Sequence, residues 1–283
     1  MSAAACFGLL AYVYLTLPDV RPLARQPPGR TAWMTMRAHE AERQGRALRH
    51  EHRWVPYARI SPHLKRAVIV AEDGTFWEHE GIDLEQIRES VHLNLERGRA
   101  ARGASTITQQ LAKNLYLSPS RNPIRKLREL ILARRLEAAL SKARILEIYL
   151  NVIEWGDGVW GAEAAARRYF GAPASALTPP QAALLAGAIV NPRALSPARP
   201  TARLLRRQQI IMSRMGAVTP PAVRAAVPAA AEAPIDRQPQ LPRGDPPSTP
   251  IPVEPPASEP LPPAPAPPPV PCPVPPCGTR PPR

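Results

Sequence analysis

The chain has 283 residues, a formal net charge of +14 and 39 prolines, of which 25 lie after residue 219. The charges after residue 219 cancel, so the whole positive charge belongs to residues 1–218. A basic surface of this kind suits nucleic acid, an anionic membrane or a phosphate-bearing substrate. Aromatic residues make up only 5% of the chain, and no helix-turn-helix, zinc-finger or ribonucleoprotein pattern occurs. The composition therefore argues against nucleic acid as the partner.

The N-terminus carries an uncharged, mostly apolar run from Ala3 to Leu17, with arginines beyond it. We expect a membrane anchor over residues 1–18, although the run is shorter than the roughly 20 apolar residues of a typical spanning helix. A chain that begins further upstream would account for the short run. The alternative is a buried N-terminal helix.

Residues 219–283 are rich in proline and alanine and poor in large apolar side chains. Such a segment buries too little apolar surface to offset the entropy of ordering it, so we expect a disordered tail. Its cysteines, Cys272 and Cys277, have no histidine nearby and predict no zinc site, but they could form a disulfide outside the cytoplasm. The sequence thus predicts one folded domain over residues 19–218.

Helix-capping signals place the first predicted helices of this domain. Ser61 and Pro62 are typical of a helix start, and apolar residues at helical spacing then lead to Glu72 and Asp73 at the helix end. Asp83 is predicted to begin a second helix. The predicted core stripe of this second helix comprises Leu84, Ile87, Val91 and Leu95.

A basic segment of small residues at positions 98–103 predicts a mobile loop, which leads to a third helix over residues 106–117. Its inward residues are predicted to be Ile107, Leu111 and Leu115. Its polar positions are Thr106, Gln110, Lys113 and Asn114. Because residues three or four apart are neighbours on a helix, we expect these polar side chains to converge on one ligand.

Five further helices are predicted. The first starts at Asn122–Pro123, and its core face is predicted to be Ile124, Leu127, Ile131 and Leu132. The second is capped by Ser141 and is predicted to face the core with Ile145, Leu146, Tyr149 and Leu150. The others span residues 162–170, 178–190 and 201–215. No segment shows sustained period-two alternation, so the predicted fold class is mainly α.

Glu72 follows the apolar run Val68–Ala71 and precedes Asp73. Partial burial and a neighbouring carboxylate both disfavour ionisation, so they could raise the pKa of this glutamate toward the range of a general base. A solvated pair of acids at a helix end is the ordinary alternative.

Arg125 and Glu129 lie at i and i+4, which fits an ordinary ion pair as well as a binding site. The hydroxyls, amides and lysine of residues 105–114 predict a surface for a polar, anionic ligand.

Five motifs occur in order along the chain. They are Glu-Asp-x-x-Phe-x-x-His-x-Gly at 72–81, Gly-x-Ser-Thr-Ile-Thr-Gln-Gln-x-x-Lys-Asn at 103–114, Arg-Lys-x-x-Glu at 125–129, Ser-Lys-x-x-Ile-Leu-Glu-x-Tyr-Leu-Asn at 141–151 and Gly-x-Glu-Ala-Ala-Ala-x-x-Tyr-Phe-Gly at 161–171. Together they resemble the glycosyltransferase domain of peptidoglycan polymerases, the family that includes class A penicillin-binding proteins, and residues 151–161 resemble its monofunctional members. The chain has no Ser-x-x-Lys motif, so no transpeptidase activity is expected.

The resemblance implies a lysozyme-like α fold with a large lobe and a smaller jaw, at the outer face of the cytoplasmic (inner) membrane. Such enzymes polymerise lipid II into linear glycan strands with inversion and release undecaprenyl pyrophosphate. By the same resemblance, Glu72 is the general base that deprotonates the acceptor hydroxyl. Glu129 supports the departing pyrophosphate, by positioning or through a divalent cation such as Mg or Mn, and no cofactor is required.

The resemblance also assigns the remaining motif positions. The expected substrate-binding residues are Asp73, Phe76, His79, Ser105, Thr106, Gln109, Gln110, Lys113, Asn114, Arg125 and Lys126. Structural or donor-site support is expected from Lys142, Glu147 and Asn151. The expected partners are lipid II, the nascent glycan strand, the membrane and other cell-wall synthesis proteins, but not nucleic acid. A glycan-cleaving enzyme of the same broad fold and a catalytically idle scaffold that binds lipid II are the alternatives.

Overall fold

The computed structural model describes residues 3–96, 105–119 and 122–217, and this part of the chain is mainly α-helical, as predicted. The predicted loop at 98–103 lies outside the described residues, as does the tail at 219–283 with Cys272 and Cys277. The helices of the described part are α1 Ala3–Leu15, α2 Ala32–Arg43, α3 Pro62–Glu72, α4 Leu84–Glu96, α5 Ile107–Tyr116, α6 Pro123–Ala139, α7 Lys142–Val152, α8 Ala162–Phe170, α9 Pro179–Ala188 and α10 Ala202–Arg214.

Side-chain caps start α3, α5, α6 and α7, which carry four of the motifs. Ser61 Oγ accepts from the His63 amide at 3.2 Å, and Thr106 Oγ1 accepts from the Gln109 amide at the same distance. The side chains of Asn122 and Ser141 cap α6 and α7 in the same way. Because these side chains satisfy amides that the helix leaves unpaired, the positions of α3, α5, α6 and α7 follow from the local sequence.

The core forms where two groups of helices meet. In one group, α3 packs against α9 and α10, and in the other α5 packs against α2, α6 and α7. The predicted inward residues of α5, Ile107, Leu111 and Leu115, are buried, and so are those of α7. Helix α2 was not among the predicted elements. Its contact with α5 places it beside the polar residues of that helix.

A small sheet that the sequence did not predict lies beside α8. Strand β1, Glu51–His52, runs parallel to β3, Val159–Trp160, and β2, Glu154–Gly156, pairs antiparallel with β3. These strands are too short for a period-two pattern to be recognised. The turn between β2 and β3 contains Gly158 at φ +74°, and a Cβ there would collide with the Arg49 backbone, so the position requires glycine.

The structure corrects the predicted core faces of α4 and α6. On α4, Leu84, Val91 and Leu95 are 63, 52 and 77% exposed and form a largely exposed apolar face, whereas Ile87 is partly buried. On α6, Ile124 is exposed and Leu127 and Ile131 are only partly buried. Leu132 is buried as predicted, and the rest of the buried face of α6 comprises Glu129, Ala133 and Leu136. The apolar pattern identified each helix but only part of the side that meets the core.

Helix α1 occupies the predicted anchor region. None of the helices in the described residues is long and apolar enough to cross a membrane. The C-terminal end of α1 contacts α6, where Arg135 Nη2 donates to the Tyr14 carbonyl at 2.7 Å and its guanidinium lies 4.1 Å from the centre of the Tyr14 ring. Phe7, Tyr12 and Leu15 of α1 remain largely exposed.

Candidate active site

Glu72, the last residue of α3, lines a cleft of about 1180 Å³ between the end of α3, the start of α4 and α10. Its Oε2 accepts a hydrogen bond from Gln110 Nε2 of α5 at 3.0 Å. Its Oε1 lies 3.4 Å from Arg207 Nη2 of α10. Ser105, just before α5, lines the same cleft. Three helices from distant parts of the sequence therefore hold one carboxylate at the edge of an open cavity.

The surroundings of Glu72 favour a proton acceptor. Burial raises the pKa of the Glu72 carboxyl above its usual value, and the Gln110 hydrogen bond is the main effect that opposes this rise. The charges of Arg207 and Lys113 also lower this pKa, whereas the neighbouring Asp73 raises it. A carboxylate with a raised pKa that keeps a hydrogen-bond donor is suited to general-base chemistry near neutral pH.

A cationic cluster lies where α6 contacts α5. Arg125 Nη1 and Lys126 Nζ of α6 contact the two oxygens of the buried Glu129 at 2.6 and 2.5 Å. Lys126 Nζ also donates to Gln109 Oε1 of α5 at 3.1 Å. Glu129 thus holds two cations in fixed positions, in the arrangement that binding of an anionic group requires.

Lys113 connects this cluster to Glu72. Burial lowers the pKa of the Lys113 ammonium, and the nearby charges of both Glu129 and Glu72 raise it, so the lysine is within electrostatic range of both carboxylates. Arg125 and Lys126 act on it as well and lower its pKa. Lys113 Nζ lies 5.6 Å from the centre of the Trp33 ring of α2. The expected base, Glu72, and the Glu129 cluster therefore both act on the charge of Lys113.

Several residues expected to bind substrate also make contacts within the fold, and one of them, Asp73, lines the cleft. Asp73 is buried, and its Oδ2 accepts from the Ile107 amide at the start of α5 at 2.8 Å. His79 Nδ1 accepts from the Gly81 amide at 3.0 Å, so Nε2 carries the proton and donates to Asp73 at 3.0 Å. Thr106 Oγ1 donates to the Gly81 carbonyl at 2.7 Å. These contacts fix α5 relative to the end of α3.

Phe76 and Asn114 are also occupied within the fold. The Phe76 ring is fully buried, and Lys142 Nζ lies 4.6 Å from its centre while donating to Glu137 at 2.8 Å. Asn114 Nδ2 donates to the Gln110 carbonyl at 2.8 Å within α5. The structure thus places Lys142, expected as support, in the packing around Phe76.

The other two expected support residues, Glu147 and Asn151, lie on α7. Glu147 forms an ion pair with Arg144 at 3.0 Å. The Asn151 side chain is buried and accepts from the Val55 amide while donating to the Val55 carbonyl, both at 2.9 Å. Asn151 therefore joins α7 to the segment that precedes α3.

Two residues of the site were missed by the sequence reasoning. Arg207 lies on a basic amphipathic helix where several arginines look equivalent, and Tyr149 was predicted only as a core residue. The Tyr149 side chain is fully buried, yet its hydroxyl donates to Gln110 Oε1 at 2.8 Å. Only the Tyr-Leu-Asn portion of the fourth motif pointed to this position, and nothing in the local sequence singled out Arg207.

The donor set around Glu129 does not fit a divalent cation held by the protein. Such an ion takes several oxygen ligands, whereas both Glu129 oxygens already accept from Arg125 and Lys126. No group of three or more His, Cys, Asp or Glu side chains suited to a metal occurs among the residues that the structure describes. We therefore derive no chemical step through a metal.

Comparison with known proteins identifies the family of this chain. A family model described as "Transglycosylase" matches residues 40–216. The chain is 52% identical over 188 residues to a "Biosynthetic peptidoglycan transglycosylase" of Nitrosomonas eutropha, covering 66% of this chain and 77% of the relative. It is 49% identical over 194 residues to a protein of the same name from Dechloromonas aromatica, covering 69% of this chain and 84% of the relative. This chain therefore belongs to the transglycosylase family and is a glycosyltransferase.

Proposed function

We propose that this glycosyltransferase polymerises lipid II into linear glycan strands, as a peptidoglycan transglycosylase without transpeptidase activity. Its relatives are named biosynthetic peptidoglycan transglycosylases. The observation that carries the proposal is that consecutive residues of α5 contact the two groups: Gln110 donates to Glu72 at 3.0 Å, and Gln109 accepts from Lys126 of the Glu129 cluster at 3.1 Å. A proton acceptor next to a cationic cluster is what transfer of a sugar from a pyrophosphate requires.

The proposed reaction begins at Glu72. Its carboxylate accepts the proton of the acceptor's 4-hydroxyl, whose oxygen attacks the anomeric carbon of the donor with inversion. The bond from that carbon to the pyrophosphate oxygen breaks, and the electron pair leaves with undecaprenyl pyrophosphate. Arg207 and Gln110 hold the carboxylate in place, because they contact its two oxygens.

The leaving group is anionic, so it needs cationic contacts more than it needs a proton donor. Lys113, Arg125 and Lys126 supply these contacts in the proposed reaction. Glu129 acts by holding Arg125 and Lys126 with both of its oxygens, which explains a carboxylate on the leaving-group side. We propose that any Mg²⁺ or Mn²⁺ enters with the pyrophosphate of the substrate. Measuring activity after chelation, and again as metal is added back, tests this proposal.

We further propose that the domain has a lysozyme-like arrangement and works against the outer face of the cytoplasmic membrane. The exposed apolar face of α4 supports this location, because Leu84, Val91 and Leu95 lie at i, i+7 and i+11 and so share one side of the helix. Helix α4 also supplies Glu85 and Gln86 to the wall of the cleft. A lipid surface on α4 would thus bring a lipid-linked substrate to Glu72, and α1 and cell-wall synthesis proteins would add further attachment.

Polymerisation of purified lipid II by the full chain tests the proposed function. We expect long, uncrosslinked glycan from the wild type and a loss of at least about 100-fold in Glu72→Gln, since general-base catalysis contributes factors of this order. Glu80→Gln is the matched control, because Glu80 is exposed and pairs with Arg134. Soluble fragments released from preformed glycan would instead indicate a cleaving enzyme. Lipid II binding without turnover by the wild type would indicate a scaffold.

A further inference from the structure

Behind the proposed base lies a chain of hydrogen bonds that begins at a fully buried hydroxyl. Tyr149 Oη donates to Gln110 Oε1 at 2.8 Å, and Gln110 Nε2 donates to Glu72 Oε2 at 3.0 Å. Tyr149 lies on α7, Gln110 on α5 and Glu72 on α3, so three helices each contribute one member. The backbone of Gln110 is fixed within α5, where its carbonyl accepts from Asn114 Nδ2 at 2.8 Å. Only the side-chain amide of Gln110 is free to turn.

The direction of this chain depends on which way that amide faces. An amide has an acceptor on one side and donors on the other, so turning it reverses both hydrogen bonds. In the reversed arrangement Gln110 would donate to Tyr149, and its oxygen would face the Glu72 carboxylate. Two oxygens without a proton between them repel, so the reversed arrangement requires a protonated Glu72.

Tyr149 decides between the two arrangements. Among the described residues its hydroxyl has no hydrogen-bond acceptor other than Gln110 Oε1, and its side chain has no access to solvent. Reversal would leave a buried hydroxyl donor without a partner, which is unfavourable. Burial raises the pKa of Tyr149 well above its usual value, so the hydroxyl keeps its proton throughout the working range.

We propose that Tyr149 is a positioning residue that locks the Gln110 amide toward Glu72 and so keeps Glu72 ionised as the base. The inference rests on the proposed function for its catalytic meaning. Tyr149 itself does not contact the cleft, which distinguishes it from Gln110 and Arg207. The locked amide explains how a buried carboxylate remains available to take a proton.

The other charged groups that face Glu72 do not duplicate this role. Lys113 of α5 and Arg207 of α10 act on Glu72 through their charge, and Asp73 next to it acts in the opposite direction. The hydrogen bond from Gln110 is the largest effect that opposes the burial of Glu72. Removing the Tyr149 hydroxyl, which holds the Gln110 amide in place, should therefore change the protonation of Glu72 even though Lys113, Arg207 and Asp73 keep their charges.

The test is the pH dependence of lipid II polymerisation by the full chain in detergent. Tyr149→Phe should move the acid limb of kcat/KM to higher pH, with activity on that limb reduced about 3- to 10-fold, because the ionised fraction of a base falls about tenfold when its pKa rises by one. At high pH the rate should recover to within about twofold of the wild type, with little change in KM. Tyr169→Phe is the matched control, because that hydroxyl donates to the Trp155 carbonyl at 3.2 Å and should leave the profile unchanged.

A double-mutant comparison separates positioning from packing. Gln110→Leu should move the acid limb in the same direction, and adding Tyr149→Phe to it should cause no further change, because the two residues act through one hydrogen bond. Equal loss of activity at every pH in Tyr149→Phe would show a purely structural role and would overturn the inference. An acid limb identical to that of the wild type would overturn it as well.

Two further measurements keep the test decisive. If Tyr149→Phe fails to fold, 3-fluorotyrosine placed at position 149 strengthens the donor at almost the same size, and the acid limb should then move to lower pH. A pH titration followed by ¹³C NMR of the Glu72 carboxyl, whose signal is assigned by its loss in Glu72→Gln, measures the change in the pKa of Glu72 without substrate. If the wild type polymerises lipid II but the variant at position 149 leaves the pKa of Glu72 unchanged, the inference is rejected and the proposed function stands. If the variant changes the pKa of Glu72 but the wild type makes no glycan, the proposed function is rejected and the positioning role stands.

Discussion

At the scale of single residues, the burial that suits Glu72 to act as a base also lowers the stability of the fold. A carboxyl whose pKa is raised by burial stabilises the fold below its unfolded pKa, and that contribution is lost as the pH rises through the folded pKa. The ionised form needed for catalysis is therefore the less stable one. The same burial that makes Glu72 a better proton acceptor makes the folded protein less stable near neutral pH.

Glu72→Gln should consequently be more stable than the wild type at neutral pH, by an amount on the order of 1 kcal/mol. The amide has no charge to bury and still accepts the Gln110 hydrogen bond. The difference should shrink as the pH falls and Glu72 becomes protonated. Urea unfolding at several pH values measures this, with Glu80→Gln as control. A difference that does not depend on pH would contradict the assigned pKa direction.

Arg207 gives a second prediction at this scale. Its charge lowers the pKa of Glu72, so Arg207→Ala should raise that pKa and move the acid limb of the polymerisation rate to higher pH. Arg206→Ala, an exposed neighbour on α10, should leave the limb in place. If both variants behaved alike, the general positive charge of α10 would explain the effect, and the contact with Glu72 would not.

At the scale of elements, Asp73 joins the end of α3 to the start of α5. It accepts from the Ile107 amide and from His79, so its removal leaves two buried donors without a partner. Asp73→Ala should therefore lower the free energy of unfolding by about 2–4 kcal/mol. Asp19→Ala, which removes an exposed ion pair with Arg21, should have no measurable effect in the same urea titration. A small effect at Asp73 would mean that α5 is positioned by packing alone.

The sequence predicted helix starts well and helix orientation poorly. Caps such as Ser61 and Thr106 are local, because each side chain bonds to an amide two or three residues away. Which side of α4 or α6 is buried depends on helices elsewhere in the chain, and so Leu84 is exposed while Glu129 is buried. The small sheet was missed because β1 pairs with a strand about 100 positions away and each strand is only two or three residues long.

For the site, too, the sequence predicted what depends on neighbouring residues and missed what depends on residues far apart in the chain. The motifs named Glu72, Lys113 and Glu129, and the charges of both glutamates raise the pKa of Lys113. Motif order gave no means of separating residues that face the cleft, such as Ser105, from buried ones such as Phe76. Arg207 lies 135 positions from Glu72, and their contact exists only because α10 packs against α3.

At the scale of the whole molecule, the net charge of +14 and the apolar face of α4 favour the same kind of surface. Basic proteins are attracted to anionic lipid, and at 0.1 M salt this attraction is largely screened beyond about 10 Å. Exposed leucine and valine side chains add apolar contact that salt does not screen. Binding to lipid should therefore have a salt-sensitive part and a salt-resistant part.

Replacing Leu84, Val91 and Leu95 together by Gln should weaken cosedimentation with phosphatidylglycerol vesicles roughly 10-fold or more, mainly at high salt, because each buried apolar side chain contributes about 1.5–3 kcal/mol. The matched control replaces Leu205, Ile210 and Met212, which are exposed on α10, by Gln in the same way. Equal losses in the two triple variants would show that exposed apolar area in general, without a preference for α4, drives the binding.

The end of α3 has a consequence for how this enzyme can be altered. Glu72 and Asp73 are consecutive and both line the cleft, yet Glu72 contacts Gln110 whereas Asp73 braces α5. Deleting or inserting a single residue within α3 would turn its last residues by about 100° and remove both from their partners at once. The length of this helix is therefore as strictly determined as its chemistry.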